Sequence, residues 1–381
     1  MDFNFKEEQL QFADALKRWA SKDYGFEERK KIIHSASGVS DAAWSTLTEL
    51  GMTALPVPEE QGGFAGSAVD MLVVMQELGR ALVVEPYLAT VLGAHFLTLS
   101  GGHAALLEQV AGGELKLACA LGEKQSRHDL SDIATTASAQ AGGFVINGAK
   151  TVVVHGGQAA SLIVSARSSG EQRATQGVSL FVVPAGSEGV TITDYRTLDG
   201  QRAANISFNN VMLPASTLIG AEGAGWDILD HGADYGATLL CAEALGVMEA
   251  IFAATLDYLK TRTQFGAPIG KFQALQHRMA DMYIHLEQAR SMAILAAVKM
   301  GSSDVVERRR TVSAAKFRVG QALKFVGQQA VQLHGGMGVT DELAAAHHFK
   351  RLTMIELSLG DSDHHLQRFM AQPGFASGQE A

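Results

Sequence analysis

Cysteine is almost absent from this chain of 381 residues: Cys119 and Cys241 are the only two, far apart and each in an apolar setting. That excludes a disulfide framework and reads as a reduced protein with buried thiols. Positive charge is also scarce. Lys and Arg number 31 against 40 Asp and Glu, for a formal net charge of −9, whereas a nucleic-acid surface needs clustered positive charge. The nearest thing to a basic run, Arg308-Arg309-Arg310, precedes an amphipathic pattern and reads as a solvated helix start. The longest apolar stretches are broken by polar residues before membrane length. Met1 leads straight into DFNFKEEQLQFADAL, with no basic n-region and no apolar h-region. These absences together point to a cytoplasmic protein.

Metal-binding spacings are missing as well. No HExxH or paired Cys-His motif occurs. The doublets His347-His348 and His364-His365 place neighbours about 100° apart on a helix, so they do not converge on one ion. Core or partner contacts are the expectation for them. What the chain does have is an interior: 47% apolar and 19% charged residues, at a length that suggests two or three packed units.

Three textures follow one another. From Phe5 to about Gly113 the pattern is helical. Leu10, Phe12, Ala15, Leu16 and Trp19 recur at i, i+3, i+4 spacing, and Met71, Val74, Met75, Leu78 and Leu82 repeat it. Between them Ala54 to Gly66, ALPVPEEQGGFAG, is a Pro/Gly-punctuated loop. From about Leu115 to Pro214 the period becomes two. Phe144 to Ile146, then Asn147-Gly148 and a Val-rich run, read as a hairpin with a tight type I′ turn. Short β-branched runs follow at 162–164, 178–183, 190–193 and 206–208, as in a small antiparallel β domain. From Trp226 the chain is helical again. Ala315, Val319, Ala322, Val326, Ala330 and Leu333 form an apolar stripe that fits a helical bundle. The tail after Pro373 is Gly/Ser/Gln-rich and expected to fray.

Two connections in the last region carry chemistry. One is RTQFGAPIGKFQALQHRMAD, Arg262 to Asp281; the other is QLHGGMG, Gln332 to Gly338. An Arg just past a helix end can hold a pyrophosphate bidentately. Gln beside Gly-Gly offers amide donors and acceptors with close backbone approach, as adenine and ribose require. Taken alone, Gly335 and Gly336 would read as a helix C-cap after Leu333, and Arg262 as a surface residue. Taken together, Arg262, Phe265, Gln273, Gln332, Gly335 and Gly336 read as one cofactor site. The glycines of HGGMGV and GAEGAGW lack a preceding strand and full GxGxxG spacing, so no Rossmann fold is implied.

In these residues, position by position and through essentially its whole length, the chain resembles the acyl-CoA dehydrogenase family. The resemblance implies an α+β fold in three parts: an N-terminal α-helical domain (1–114), a middle antiparallel β domain (115–224) and a C-terminal four-helix bundle (225–381). It implies a dimer or dimer of dimers, in which the six residues above reach across a subunit interface to the ADP half of FAD. It also implies an acyl-CoA substrate and an electron-transfer flavoprotein as electron acceptor.

The sequence departs from the family where the flavin ring and the base are expected. The usual Leu-Thr-Glu-Pro is Leu121-Gly122-Glu123-Lys124 here. The usual Gly-x-Lys-x-Trp-Ile-Thr/Ser-Asn is Gly148-Ala149-Lys150-Thr151-Val152-Val153-Val154-His155. An aromatic has become Val152 and a hydroxyl Val154, each loss worth about 1 kcal/mol or more. Acyl-thioester dehydrogenation needs a carboxylate over Cα and donors on the thioester carbonyl. The family's Tyr-Glu-Gly-Thr is Ser358-Leu359-Gly360-Asp361, which puts Leu359 at the Glu position. The alternative Glu-Arg pair is Gly236-Ala237. Asp361 is the best substitute base and Asp234 a weaker one; Asp361 and Asp363 also suit a helix N-cap.

Gly232, Ala233, Gly236, Ala237 and Ala242 lie where the family lines its acyl pocket, and suit either a roomy pocket or close helix packing. Three functions are open at this point. One is an FAD-dependent dehydrogenase making a 2,3-enoyl-CoA. Another is a non-catalytic subunit lending its face to FAD on a partner chain. A monooxygenase or nitroalkane-type oxidase has no positive support. The wording GFEERKK, ELGRALVVEPYLATV and GDSDHHL is similar to small subunits of heteromeric members of the family.

Overall fold

The computed structural model describes residues 5–373; the tail expected to fray lies outside them. Helices come first: α1 (Glu7–Asp23), α2 (Phe26–His34), α3 (Asp41–Glu49), α4 (Ala68–Arg80), α5 (Tyr87–Ser100) and α6 (Ala104–Ala111). Strands follow: β1 (Leu117–Ala120), β2 (Thr136–Gln140), β3 (Gly143–Val154), β4 (Ser161–Arg167), β5 (Val178–Pro184), β6 (Val190–Arg196), β7 (Arg202–Pro214) and β8 (Leu218–Ile219). Then come α7 (Trp226–Thr261), the short strands β9 (Thr263–Gln264) and β10 (Ala267–Pro268), α8 (Gln273–Lys299), α9 (Val305–His334), α10 (Ala344–Leu357) and α11 (Ser362–Met370).

The residues form two compact units. Among the described residues, one contains those up to Lys30, Ser67–Val83 and those from Ala237 on; the other contains Lys31–Gly66 and Val84–Gly236.

In the first unit α1 buries Gln9, Ala13, Leu16 and Trp19, while Leu10 is 50% exposed. The buried face is therefore turned by one residue from the apolar spacing. Gln9 takes the inward position because its Nε2 donates to Asp70 Oδ1 at 2.8 Å and its Oε1 accepts from Lys6 N at 2.8 Å. Ser67 and Asp70 form a capping box that starts α4. The α9 stripe from Ala315 to Leu333 is buried along its whole length. Arg308 is buried too, so the basic run at the start of α9 is only partly solvated. Glu249 on α7 accepts from Gln76, Arg80 and Arg290, and the buried pair Arg351–Glu243 joins α10 to α7 at 2.6 Å. Such pairs add little net stability but exclude mispacked arrangements.

The second unit is built on one sheet in the order β6-β7-β3-β2-β4-β5-β8, with β1 paired to β4. Its neighbours are antiparallel except β1 with β4 and a single β2–β4 pair, which are parallel. Ile146, Leu162, Val164, Phe181, Val183 and Ile206 pack its core. The expected hairpin turn at Asn147-Gly148 is not there. β3 runs straight through it with a register shift against β7, and the turn lies earlier, at Ala141-Gly142 between β2 and β3. Gly148 has φ +147 and lies against Thr135, while the Asn147 side chain accepts from Asn210 N at 2.8 Å. These contacts make Asn-Gly a bulge within a paired strand rather than its end.

Among the described residues, α7 alone is long and apolar enough to cross a membrane, with an 18-residue window of mean hydropathy 1.8. Of that window 67% is buried inside the protein, as in a core helix. The expectation that no apolar stretch reaches membrane length is corrected to that extent.

Candidate cofactor and catalytic site

The connection from α7 to α8 is built around a minimal hairpin. Thr263 pairs with Pro268 and Gln264 with Ala267, leaving Phe265-Gly266 as a two-residue turn with φ +53 and +80. Positive φ at both centres is the type I′ geometry. Glycine takes it without cost; phenylalanine does not. The turn holds Phe265 91% exposed, with only the edge of Phe272 beside it at 6.2 Å between ring centroids. A strained aromatic thrust into solvent is a feature that points to function rather than to folding.

The second connection lies beside the first. One turn before Arg262, the Tyr258 ring packs on His334 with centroids 4.6 Å apart, and His334 immediately precedes Gly335. Helices α8 and α9 run antiparallel, with Arg278 donating to Gln329 Oε1 at 2.9 Å. Near that rung, Gln273 opens α8 and Gln332 lies in the last turn of α9. Arg262, Phe265, Gln273, Gln332, Gly335 and Gly336 are all exposed, so the structure gathers all six at one end of the bundle. A Cβ built on Gly266, Gly335 or Gly336 meets nothing within 4 Å. Backbone can thus approach a ligand closely there. A guanidinium, two primary amides, an exposed ring and bare backbone form a donor set suited to a dinucleotide.

Asp361 lies in the same unit. Its Oδ1 accepts from His364 N at 2.8 Å and caps α11, and Asp363 is exposed in the first turn. The turn before Asp361 is strained, with φ +51 at Leu359 and +102 at Gly360. It is held from below by Lys316, which composition and spacing did not single out. Buried Lys316 Nζ donates to Gly360 O at 2.8 Å, Ile355 O at 3.0 Å and Glu356 O at 3.1 Å. His365 Nε2 donates to Leu359 O at 2.9 Å. Burial, together with Lys316, keeps the His365 ring well below its usual pKa, hence neutral. Asp234 is buried in the second unit.

In the second unit β3 presents Val152 55% exposed and Val154 at the surface. Val152 has φ +53, inside the register shift between Lys150 and Val153, and its N–H donates to Asn205 Oδ1 at 3.3 Å. A β-branched residue in that region is an outlier. Two residues before it, Lys150 is fully buried and pairs with Glu123 at 2.8 Å. Glu123 also accepts from Ala134 N at 2.8 Å and Thr135 N at 3.1 Å. Burial opposes ionisation of Glu123, but Lys150 together with hydrogen bonds from Gln125 and Thr135 outweighs it and holds the carboxyl down to about 2. The signal for this pair was a lysine inside a Val-rich strand, legible only once its inward parity is known.

The small-residue run on α7 is explained in part by packing: a Cβ on Gly232 would collide with the Phe96 ring. His347 and His348 are core residues. Among the described residues, no group of three or more His, Cys, Asp or Glu side chains is placed to hold a metal ion.

Three family models match the chain: the acyl-CoA dehydrogenase N-terminal domain over residues 6–107, the middle domain over 118–211 and the C-terminal domain over 223–372. The mitochondrial short-chain specific acyl-CoA dehydrogenase of Bos taurus is 30% identical over 327 residues, covering 83% of this chain and 78% of the relative. The structure of butyryl-CoA dehydrogenase from Megasphaera elsdenii superposes with a TM-score of 0.87 at 26% identity, covering 97% of this chain and 98% of that one. A variant of the Tcur3481-Tcur3483 steroid ACAD superposes with a TM-score of 0.86 at 27% identity, covering 95% and 96%. With its N-terminal helices, middle sheet and C-terminal helices all matched, the chain belongs to the acyl-CoA dehydrogenase family, oxidoreductases that act on CH–CH groups.

Proposed function

We propose that this chain serves FAD-dependent α,β-dehydrogenation of an acyl-CoA thioester to the 2,3-enoyl-CoA, as a small-subunit-like member of an assembled enzyme. The observation that carries this is the exposed Phe265 turn, set beside Arg262, Gln273, Gln332 and the open Gly335-Gly336 backbone. Arg262 would pair with the pyrophosphate. Phe265 would cover an apolar face of the cofactor. Gln273 and Gln332 would bond the adenosine end, with Gly335 and Gly336 allowing close approach. Bound FAD would supply the acceptor for the hydride that leaves Cβ.

In this reading Asp361 takes the Cα proton. Division of the chain at residues 114 and 224 belongs to the same reading. So do an electron-transfer flavoprotein as acceptor and a second acyl-CoA dehydrogenase chain as partner. By its wording the chain is similar to the small subunit of pimeloyl-CoA dehydrogenase, which makes a dicarboxylyl thioester the first substrate to try.

A second reading, a non-catalytic partner that completes the FAD site of another chain, is favoured by one observation. Leu359 stands at the base position, and Asp361, two residues on, is already engaged as a helix cap.

The test is FAD retention by the assembled enzyme with Arg262→Ala. A fall of about tenfold or more in FAD affinity is expected for losing a charge-assisted pair. Unchanged flavin content would remove Arg262 from the pyrophosphate.

A further inference from the structure

Arg29, on α2, is 1% exposed. Its Nε donates to Leu82 O at 2.8 Å, and its Nη1 lies 3.1 Å from His347 Nδ1. A guanidinium offers only donors and keeps its proton. Nδ1 must therefore be the acceptor, and the ring proton lies on Nε2. That nitrogen lies 2.9 Å from the backbone oxygen of Asp341, to which it donates. The donors run one way, from Arg29 through His347 to Asp341. Asp341 belongs to the connection between α9 and α10 that begins with Gly335 and Gly336.

The groups facing His347 are few. From α2 come Arg29 and the Phe26 ring, its centroid 4.9 Å away in an edge contact. From the connection comes the Asp341 carboxylate at 3.4 Å. From α10 itself come Lys350, which pairs with Asp341 at 2.7 Å, and the adjoining His348. Burial lowers the His347 pKa, aided by Arg29 and Lys350 and opposed by Asp341. Burial likewise holds His348 down to about 4. Both rings are neutral in the folded state.

We propose that Arg29 and neutral His347 are positioning residues that fix the connection of residues 335–343, and with it Gly335 and Gly336, for cofactor binding, and that protonation of His347 frees the connection from its anchor at Arg29. A proton on Nδ1 would set N–H against N–H and cation against cation at Arg29, while Nε2–H keeps its bond to Asp341 O, so the ring and the connection it holds would part from Arg29 together. A histidine whose folded pKa is lowered contributes stability fully above its ordinary value of about 6.5, and that stability is lost as pH falls through the lowered value. Release therefore belongs to the acid side of about 6.5. The relay itself needs no cofactor; its consequence for binding rests on the FAD reading above.

The experiment uses the full chain and His347→Gln, whose amide oxygen can accept from Arg29 and whose NH2 can donate to Asp341 without titrating. The probe is cleavage after Glu342, exposed within the connection, by a glutamate-specific protease. The ratio of wild-type to variant rates removes the protease's own pH dependence. It is expected to rise from about one near pH 7.5 to about ten near pH 5.5, the weight of one charge-sensitive hydrogen bond. A third protein, His347→Leu, breaks the relay at every pH and should be cut quickly throughout.

A wild-type to Gln ratio that stays at one across the range would overturn the proposal, as would His347→Leu being cut as slowly as wild type near pH 7.5. Bound FAD is measured on the same proteins assembled with a second acyl-CoA dehydrogenase chain. Loss of FAD on acidification in wild type but not in His347→Gln completes the positioning claim. Altered cleavage with no FAD bound at any pH would leave the relay standing and discard the FAD reading and its consequence.

Discussion

Replacing Lys150 by methionine tests whether β3 of the second unit rests on a buried charge pair. Lys150 Nζ lies 2.8 Å from Glu123 Oε1, 3.0 Å from Ser165 Oγ and 3.3 Å from Leu121 O. Methionine fills nearly the same volume, so the cavity term is small and the loss is electrostatic. Glu123 keeps its backbone donors from Ala134 and Thr135 but loses its countercharge. An uncompensated buried charge costs about 3–5 kcal/mol. Urea unfolding near pH 7 would read this, with Trp44 and Trp226 as reporters in the unit that holds the pair.

The double variant Lys150→Met/Glu123→Gln should recover about 2 kcal/mol of the loss, because the glutamine oxygen still accepts a backbone N–H and no charge is stranded. The pH dependence follows from the depressed carboxyl. Stability from the pair is fully present above the ordinary glutamate pKa of about 4.3 and is lost as pH falls toward about 2. In Lys150→Met burial is no longer offset and raises the Glu123 carboxyl, so the deficit relative to wild type should narrow as pH falls. A single variant within about 1 kcal/mol of wild type would refute the reasoning.

Three further outcomes are expected. Asp361→Asn keeps the α11 cap, because asparagine caps as well as aspartate, so unfolding should shift by under about 0.5 kcal/mol while turnover is abolished; retained turnover would remove Asp361 as the base. Phe265→Gly relieves a left-handed phenylalanine and should leave stability unchanged or raise it by about 0.5–1 kcal/mol while weakening FAD retention; a destabilised fold with normal FAD content would contradict the assignment. Gly246→Ala drives a Cβ into the Gln76 carbonyl oxygen and the backbone between α4 and α7, so loss of about 2–3 kcal/mol or failure to fold is expected in calorimetry; a silent variant would show that contact to be soft.

What was legible in the sequence was mostly periodicity. The α9 stripe and the order of helix, sheet and helix both follow from local spacing. The Asn147-Gly148 hairpin did not form because tertiary contacts, Thr135 against Gly148 and Asn210 against Asn147, outvote a local turn preference. The inward face of α1 takes in Gln9 rather than Leu10 because Gln9 is bonded to Asp70 of α4, a polar contact no hydrophobicity pattern encodes.

The candidate site divides in the same way. Arg262, Phe265, Gln273, Gln332, Gly335 and Gly336 were legible as two motifs at a fixed separation. Lys150, Lys316 and the Arg29–His347 relay were not. Each joins residues far apart in sequence, and an isolated lysine or arginine in a helix or strand pattern reads as solvent-exposed until its partner is known.

The most direct measurement is the visible absorption spectrum of this chain purified alone, and then with a second acyl-CoA dehydrogenase chain, before and after anaerobic addition of mixed acyl-CoA thioesters. The account predicts flavin in the assembled enzyme, bleached by thioester. Bleaching in the single chain would show that Val152 and Val154 permit a working ring site and that a base is present. A colourless protein that takes up FAD neither alone nor with a partner chain would contradict the account at its centre.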